Sequence, residues 1–393
     1  MRDVVFSALI WMACLHTSSV QAADKNNFPD RFNSFGFNLV QKLETSGPRN
    51  LLISPASIEI ALGMTFAGAT GDTAEALSRV LGIDSSSREA ALNELTGLQE
   101  TLENPGSGVT LKVANAAWID DSIRLNKRFS ADLAQAFKTK LQTVHFNDST
   151  TISQINDWVS TATQGKINRL LENPPSPPMF LANAVYFHAP WSSPFQKQST
   201  QEQPFYPNDG SKLTVEMMQQ SGLFSYAKSA DYAVVALPYV DNRFAMYCFL
   251  PENGVDALVE KLKTSAWSDL SHTLRPTHGS VALPKLTIEY GANLDQALSK
   301  LGLGIAFDAT RAQFTRMIDG PNRLFIGGIL HKTFLLVDEE GSTAAAVTGI
   351  QMRATAMMRP KDDFNLVFNR PFVAAIVDGK SSTILFVGII GKP

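Results

Sequence analysis

Cysteine is almost missing from this chain. Only Cys14 and Cys248 occur in 393 residues. Cys14 lies in a segment that reads as a leader, so the mature chain has no partner for an internal disulfide. Cys248 sits in the apolar run Phe244-Ala-Met-Tyr-Cys-Phe-Leu250, which favours a buried core thiol over a nucleophile. Catalytic signatures are missing as well: there is no GxSxG elbow, no phosphate-cradling glycine loop and no HExxH pair. The six histidines show no metal spacing, and His272 and His278 flank Pro276 in a stretch that reads as an exposed loop. No catalytic residue, metal or cofactor is therefore assigned. Basic excess is absent too. A formal charge of -3 argues against nucleic acid as the main partner, and no basic cluster offers a dock for a polyanion cofactor. No long linker, charge run or internal repeat divides the chain. The Pro-rich Asn173-Pro-Pro-Ser-Pro-Pro178 is too short to separate domains.

What is present suits a large globular core: 44% of residues are hydrophobic and 18% charged. The N-terminus adds an address. Arg2 precedes an apolar run from Val4 to Leu15, and Val20-Gln21-Ala22 supplies a small-residue cleavage site. The run is too short to span a membrane. It predicts a secretory signal over 1–22, export to the periplasm or beyond the cell, and one domain over 23–393. Asn147-Asp148-Ser149 is the only sequon and matters only where the source glycosylates.

One stretch stands apart. Glu339-Glu340-Gly341-Ser342-Thr343-Ala344-Ala345-Ala346-Val347 joins an acidic pair and a glycine to a run of very small residues. From Ser342 every second residue (Ala344, Ala346, Thr348, Ile350, Met352) is small or apolar, while the intervening set turns polar towards Arg353. That period suits a strand with one buried face. Gly341, Gly349 and the alanines are poor strand formers. The segment is either an Ala-rich linker or a loop able to become a strand.

Motifs elsewhere favour the second reading. They run in order from Asn50-Leu-Leu-Ile-Ser-Pro-Ala-Ser-Ile58, with Pro55 fit for a first helical turn after a Ser54 cap, through Asn115-Ala-Ala-Trp118 and Ile155-Asn-Asp-Trp-Val159. Leu181-Ala-Asn-Ala-Val-Tyr-Phe187 with Trp191, then Leu237-Pro-Tyr239, Leu283-Pro-Lys285 and His331-Lys332 follow, and Phe368-Asn-Arg-Pro-Phe372 closes the series. In order and spacing this set resembles the serpin family. Departures exist: His188-Ala189 stands where Lys-Gly is usual, Leu286 where Phe is usual, and Gln313 where Asp is common, and none of them is expected to touch the inhibitory machinery.

The resemblance implies an α+β fold of three β-sheets and about nine helices, with an exposed reactive-centre loop over about 341–362. Local patterns agree. Phe32, Phe35, Leu39 and Leu43 are spaced for one helix face, and 364–377 and 383–390 read as strands around a turn at Asp378-Gly-Lys-Ser381. It also implies suicide inhibition of serine proteases. The protease cuts the loop, and the acylated loop then enters the large sheet as a new strand, giving a covalent 1:1 complex from a monomeric inhibitor. Residues 339–347 are the hinge of that movement, and its inward residues Ser342, Ala344 and Ala346 carry no charge. Ser54, Ser57, Asn183 and His331 resemble the polar network under the sheet's opening point. The rival reading, a Ser–His hydrolase pair, has no evident orienting acid. Trp191 and a Glu339–Lys285 ion pair resemble the top of the sheet, the alternative for Glu339 being a solvated charge.

The family register, counted from Gly341, puts the reactive bond at Thr355–Ala356, which suits elastase- or subtilisin-like enzymes. The loop up to Phe368 is longer than usual, so Arg353, for a trypsin-like enzyme, and Met357 or Met358, for chymotrypsin- or elastase-like ones, stay open. So do a non-inhibitory binding or chaperone-like role and cross-class inhibition of papain-like cysteine proteases.

Overall fold

Helix Pro55–Gly68 is the spine of the core. The Ser54 hydroxyl caps it by accepting from the Ser57 N–H at 3.4 Å, and proline fills its first turn, where no donor is needed. Nearly every residue in it is buried, as an all-round apolar helix must be. The N-terminal helix Phe28–Lys42 instead buries one stripe, with Phe32, Phe35 and Leu39 on it and Leu43 just beyond its end. The computed structural model describes residues 28–43, 50–84, 87–139, 141–175, 178–342 and 363–393, with nine α-helices among them. The expected leader 1–22, the expected hinge residues Thr343–Val347, and the candidate reactive-bond residues Arg353, Thr355, Ala356, Met357 and Met358 lie outside the described residues.

The large sheet has six strands. Its order is Leu286–Asn293, Ile326–Val337, Met179–Pro190, Thr110–Asp120 and Leu141–Val144, with the two-residue strand Gly341–Ser342 paired to the end of Met179–Pro190. Its two middle strands, Ile326–Val337 and Met179–Pro190, run parallel. Helix Thr150–Ala162 covers one face, burying Ile155 and Val159 with Trp118 and Phe180 in a second hydrophobic core. Trp158 meets Trp118 edge-on, with centroids 4.9 Å apart.

Two of the three expected sheets are continuous through their hydrogen bonds and make one nine-stranded unit. The cause is the 16-residue strand Leu213–Lys228. It pairs with Gln201–Phe205 at one end, Tyr232–Pro238 at the other, and Arg275–Pro284 between.

Two local expectations need correction. The strand read over 364–377 is two strands, Phe364–Val367 and Phe372–Asp378. The first runs parallel to Arg275–Pro284, and the second lies antiparallel between Phe244–Pro251 and Thr383–Ile390. The chain crosses between them at Phe368–Pro371, where proline has no N–H for a ladder. The loop read around Pro276 is also wrong. His272 ends a short helix and is exposed, whereas His278 is half-buried within strand Arg275–Pro284, which tolerates proline near its start. Cys248 is fully buried as expected, and burial pushes its thiol far up, so it stays an inert core group.

Candidate functional site

The four residues proposed to sit under the opening point are brought together. His331 and Asn183 are register partners on the two parallel middle strands, and Asn115 faces Asn183 from the next strand. His331 Nε2 accepts the Ser54 backbone N–H at 3.0 Å. The proton therefore sits on Nδ1, which donates to Asn183 Oδ1. The Asn183 amide in turn donates to Ser57 Oγ and Asn115 Oδ1. A chain of side chains thus ties the cap of the buried helix to the seam between the two strands. Ser54, Ser57, Asn183 and His331 are all buried. Burial pushes the His331 pKa down to about 3, which keeps the ring neutral. The Ser–His hydrolase reading fails on this geometry. Nε2 is engaged by a backbone N–H, and the partner of Nδ1 is an amide where a triad needs a carboxylate.

This histidine sets a pH dependence. The unfolded chain takes up its proton near pH 6.5 and the folded chain only near pH 3, so stability is present above pH 6.5 and is lost as pH falls between them. About 2 kcal/mol is expected to disappear between neutrality and pH ~5 from this group alone. Chemical unfolding of the wild type and His331→Gln at both pH values checks it. The variant should lose most of that slope, and equal slopes would refute the assignment.

At the top of the sheet Trp191 stacks on Tyr239, with centroids 4.5 Å apart and planes 9° from parallel. Its indole N–H donates to the Asp338 carbonyl at 2.9 Å. The backbone N–H groups of Trp191 and Phe195 donate to the carbonyls of Glu340 and Glu339. Lys285 Nζ lies 3.5 Å from Glu339 and equally far from Glu216. The Glu339 carboxylate also accepts from the Thr200 hydroxyl at 2.7 Å. Burial works against its charge, but Thr200, its own backbone N–H and Lys285 outweigh that and hold the carboxyl below its ordinary range. The solvated-charge alternative is therefore wrong: Glu339 is 6% exposed. Glu340 is the outward partner, 2.5 Å from Lys197.

The segment expected to be the hinge starts inside the sheet, not above it. Asp338 Oδ1 accepts from the N–H groups of Glu340 and Gly341, and the Asp338 N–H donates to the Gly341 carbonyl at 2.8 Å. This turn sends the chain back along Met179–Pro190, pairing Gly341 with Pro190 and Ser342 with Ala189. Gly341 has φ +151°, and a Cβ there would lie 2.3 Å from the Ala189 carbonyl oxygen, so only glycine fits. Ser342 is fully buried. Its hydroxyl lies 2.8 Å from the Tyr239 hydroxyl, and its carbonyl accepts from His188 Nδ1 at 3.0 Å. The exposed loop expected from 341 onwards therefore loses its first two residues to the sheet.

Sequence reasoning missed Asn115, Thr200, His188 and this use of Tyr239. Two of them gave a usable signal: Asn115, as an amide in a largely apolar strand run, and His188, as a departure from the family pattern. Among the described residues no His, Cys, Asp or Glu cluster suits a metal, and no helix is long and apolar enough to cross a membrane.

Comparisons with known proteins agree with this architecture. The family model for serpins, serine protease inhibitors, matches residues 30–393. Intracellular coagulation inhibitor 2 of Tachypleus tridentatus is 32% identical over 94% of this chain and 92% of its own length. Leukocyte elastase inhibitor of Xenopus tropicalis is 31% identical over 93% of this chain and 100% of its own. Among solved structures, the thermophilic serpin Tengpin in its native state superposes with a TM-score of 0.84 at 29% identity, covering 94% of this chain and 95% of that one.

Proposed function

We propose that this chain, which belongs to the serpin family, is an irreversible suicide-substrate inhibitor of serine proteases. Serpins are mostly protease inhibitors rather than enzymes. One observation carries the inhibitory reading. A chain segment of small uncharged residues from Ser342 onwards leaves a turn at the head of a sheet whose two middle strands are joined by a ladder and by a chain of side-chain hydrogen bonds. Each bond in that chain has a modest net worth, about 0.5–1.5 kcal/mol. The seam can therefore open, while the hinge residues Ser342, Ala344 and Ala346 bring no charge into the core. The uncut inhibitor is kinetically trapped, since a further strand in the sheet lowers its free energy.

Thr355–Ala356 is the reactive bond of this proposal, with Arg353, Met357 and Met358 as alternatives, and small-pocket enzymes of elastase or subtilisin type are the targets. The mature inhibitor spans 23–393 after removal of 1–22, is exported, and acts as a monomer in a covalent 1:1 complex. Incubation with elastase, subtilisin, chymotrypsin and trypsin tests the claim. An SDS-stable complex with at least one is expected, and the mass of the released C-terminal peptide identifies the bond. Cleavage by all four without any complex would remove inhibition of serine proteases. A complex with papain instead would mark a cross-class inhibitor.

A further inference from the structure

His188 is the side chain at the hinge seat that departs from the family pattern, and it has a direct contact with the hinge. It stands two residues before the end of strand Met179–Pro190, with Thr110 as its register partner on the neighbouring strand. Its Nδ1 faces the Ser342 carbonyl at 3.0 Å. A carbonyl only accepts, so Nδ1 carries the hydrogen. That N–H exists in both protonation states of the ring. The same residue is gripped a second time through its hydroxyl by Tyr239, whose ring is fixed under Trp191.

We propose that His188, with Tyr239, is a positioning residue that latches Ser342 into the large sheet, so that loop insertion starts from a rung already formed and in fixed register. Register is the quantity at stake. Side chains of a strand alternate between faces, so a slip of one residue turns the whole inward set outward. With Ser342 held inward, Ala344 and Ala346 follow it inward. A slip would instead bring in Thr343, Ala345, Val347 and, further along, Gln351 and Arg353. The latch acts on the backbone carbonyl as well as the side chain, and so fixes strand position along the ladder as well as burial. It contacts no reacting atom and acts only through the hinge.

The proposal rests on the inhibitor reading only for its kinetic consequence, and its structural consequence is measurable without a protease. His188→Leu removes the donor. His188→Asn places an amide N–H near the Nδ1 position, and Tyr239→Phe removes one hydroxyl while keeping the stack on Trp191. In the free mature protein, hydrogen exchange of the peptide spanning Gly341–Ser342 is expected to accelerate about 2- to 10-fold in His188→Leu, the range set by the net worth of one hydrogen bond. Tyr239→Phe should move the same way, and His188→Asn should stay within about twofold of the wild type. With a protease that forms a complex, the stoichiometry of inhibition should rise in His188→Leu and be restored in His188→Asn. Wild-type exchange in His188→Leu, or equal acceleration in His188→Leu and His188→Asn, overturns the latch. Should His188→Leu fail to fold, unchanged exchange in Tyr239→Phe overturns it instead. If no protease forms a complex, exchange alone decides.

Discussion

Replacing Ser342 by arginine is expected to turn the proposed inhibitor into a substrate. Ser342 is the first side chain after Gly341, is fully buried, and makes a side-chain hydrogen bond to Tyr239. A guanidinium there meets a hydroxyl whose own pKa is pushed far up by burial, so the site supplies no counter-charge from Tyr239. Burying an unpaired charge costs several kcal/mol, and each 1.4 kcal/mol is a factor of ten in the partition between insertion and hydrolysis. The stoichiometry of inhibition should therefore rise at least ~10-fold, with cleaved protein accumulating in place of the SDS-stable complex. Ser342→Ala, which loses only the hydroxyl contact, should change it far less. An unchanged stoichiometry in Ser342→Arg would remove hinge insertion from the mechanism. Titration against the reactive protease, read on denaturing gels, separates the cases.

Cleavage in the loop should raise thermal stability by a large margin. The two middle strands share a parallel ladder with eight registered pairs, from Ile326–Met179 to Phe334–Tyr186. A strand inserted between them replaces that ladder by two, a net gain on the order of eight hydrogen bonds. At about 0.5–1.5 kcal/mol each, the surplus is about 4–12 kcal/mol. With an unfolding entropy of about 2.1 cal/mol/K per residue, a domain of roughly 370 residues gains about 1.3 °C per kcal/mol, so Tm should rise by about 5–15 °C. Limited proteolysis followed by calorimetry tests this. A cleaved protein that melts with the intact one would mean that the loop does not insert. The binding or chaperone-like alternative predicts that outcome.

The charged partners at the top of the sheet show how far local sequence reaches. Glu339 and Lys285 were paired by resemblance, and they do meet. Yet Glu216 and Thr200, which share the site, come from separate strands and turns with no spacing that links them. Ser54 was legible as a cap because capping is local, within three residues of its partner. Its backbone bond to His331 spans 277 positions and was legible only through the family pattern. The break at Phe368–Pro371 carries a local signal in Asn369-Arg-Pro371, but that signal does not say which neighbours its two halves will find.

The chemistry of the proposed hinge is written in the chain itself. Small uncharged residues at alternate positions, a glycine just ahead of them, and an absence of catalytic motifs are properties of composition and period. Whether that hinge waits outside the sheet or has begun to enter it was decided by tertiary structure alone. Three elements far apart in the chain converge on Ser342: the end of one strand brings His188, a turn after another brings Tyr239, and the loop at Asp338 reverses the chain between them. Hydrogen bonds and burial depend on where such groups meet in space. No local pattern in the chain records that meeting.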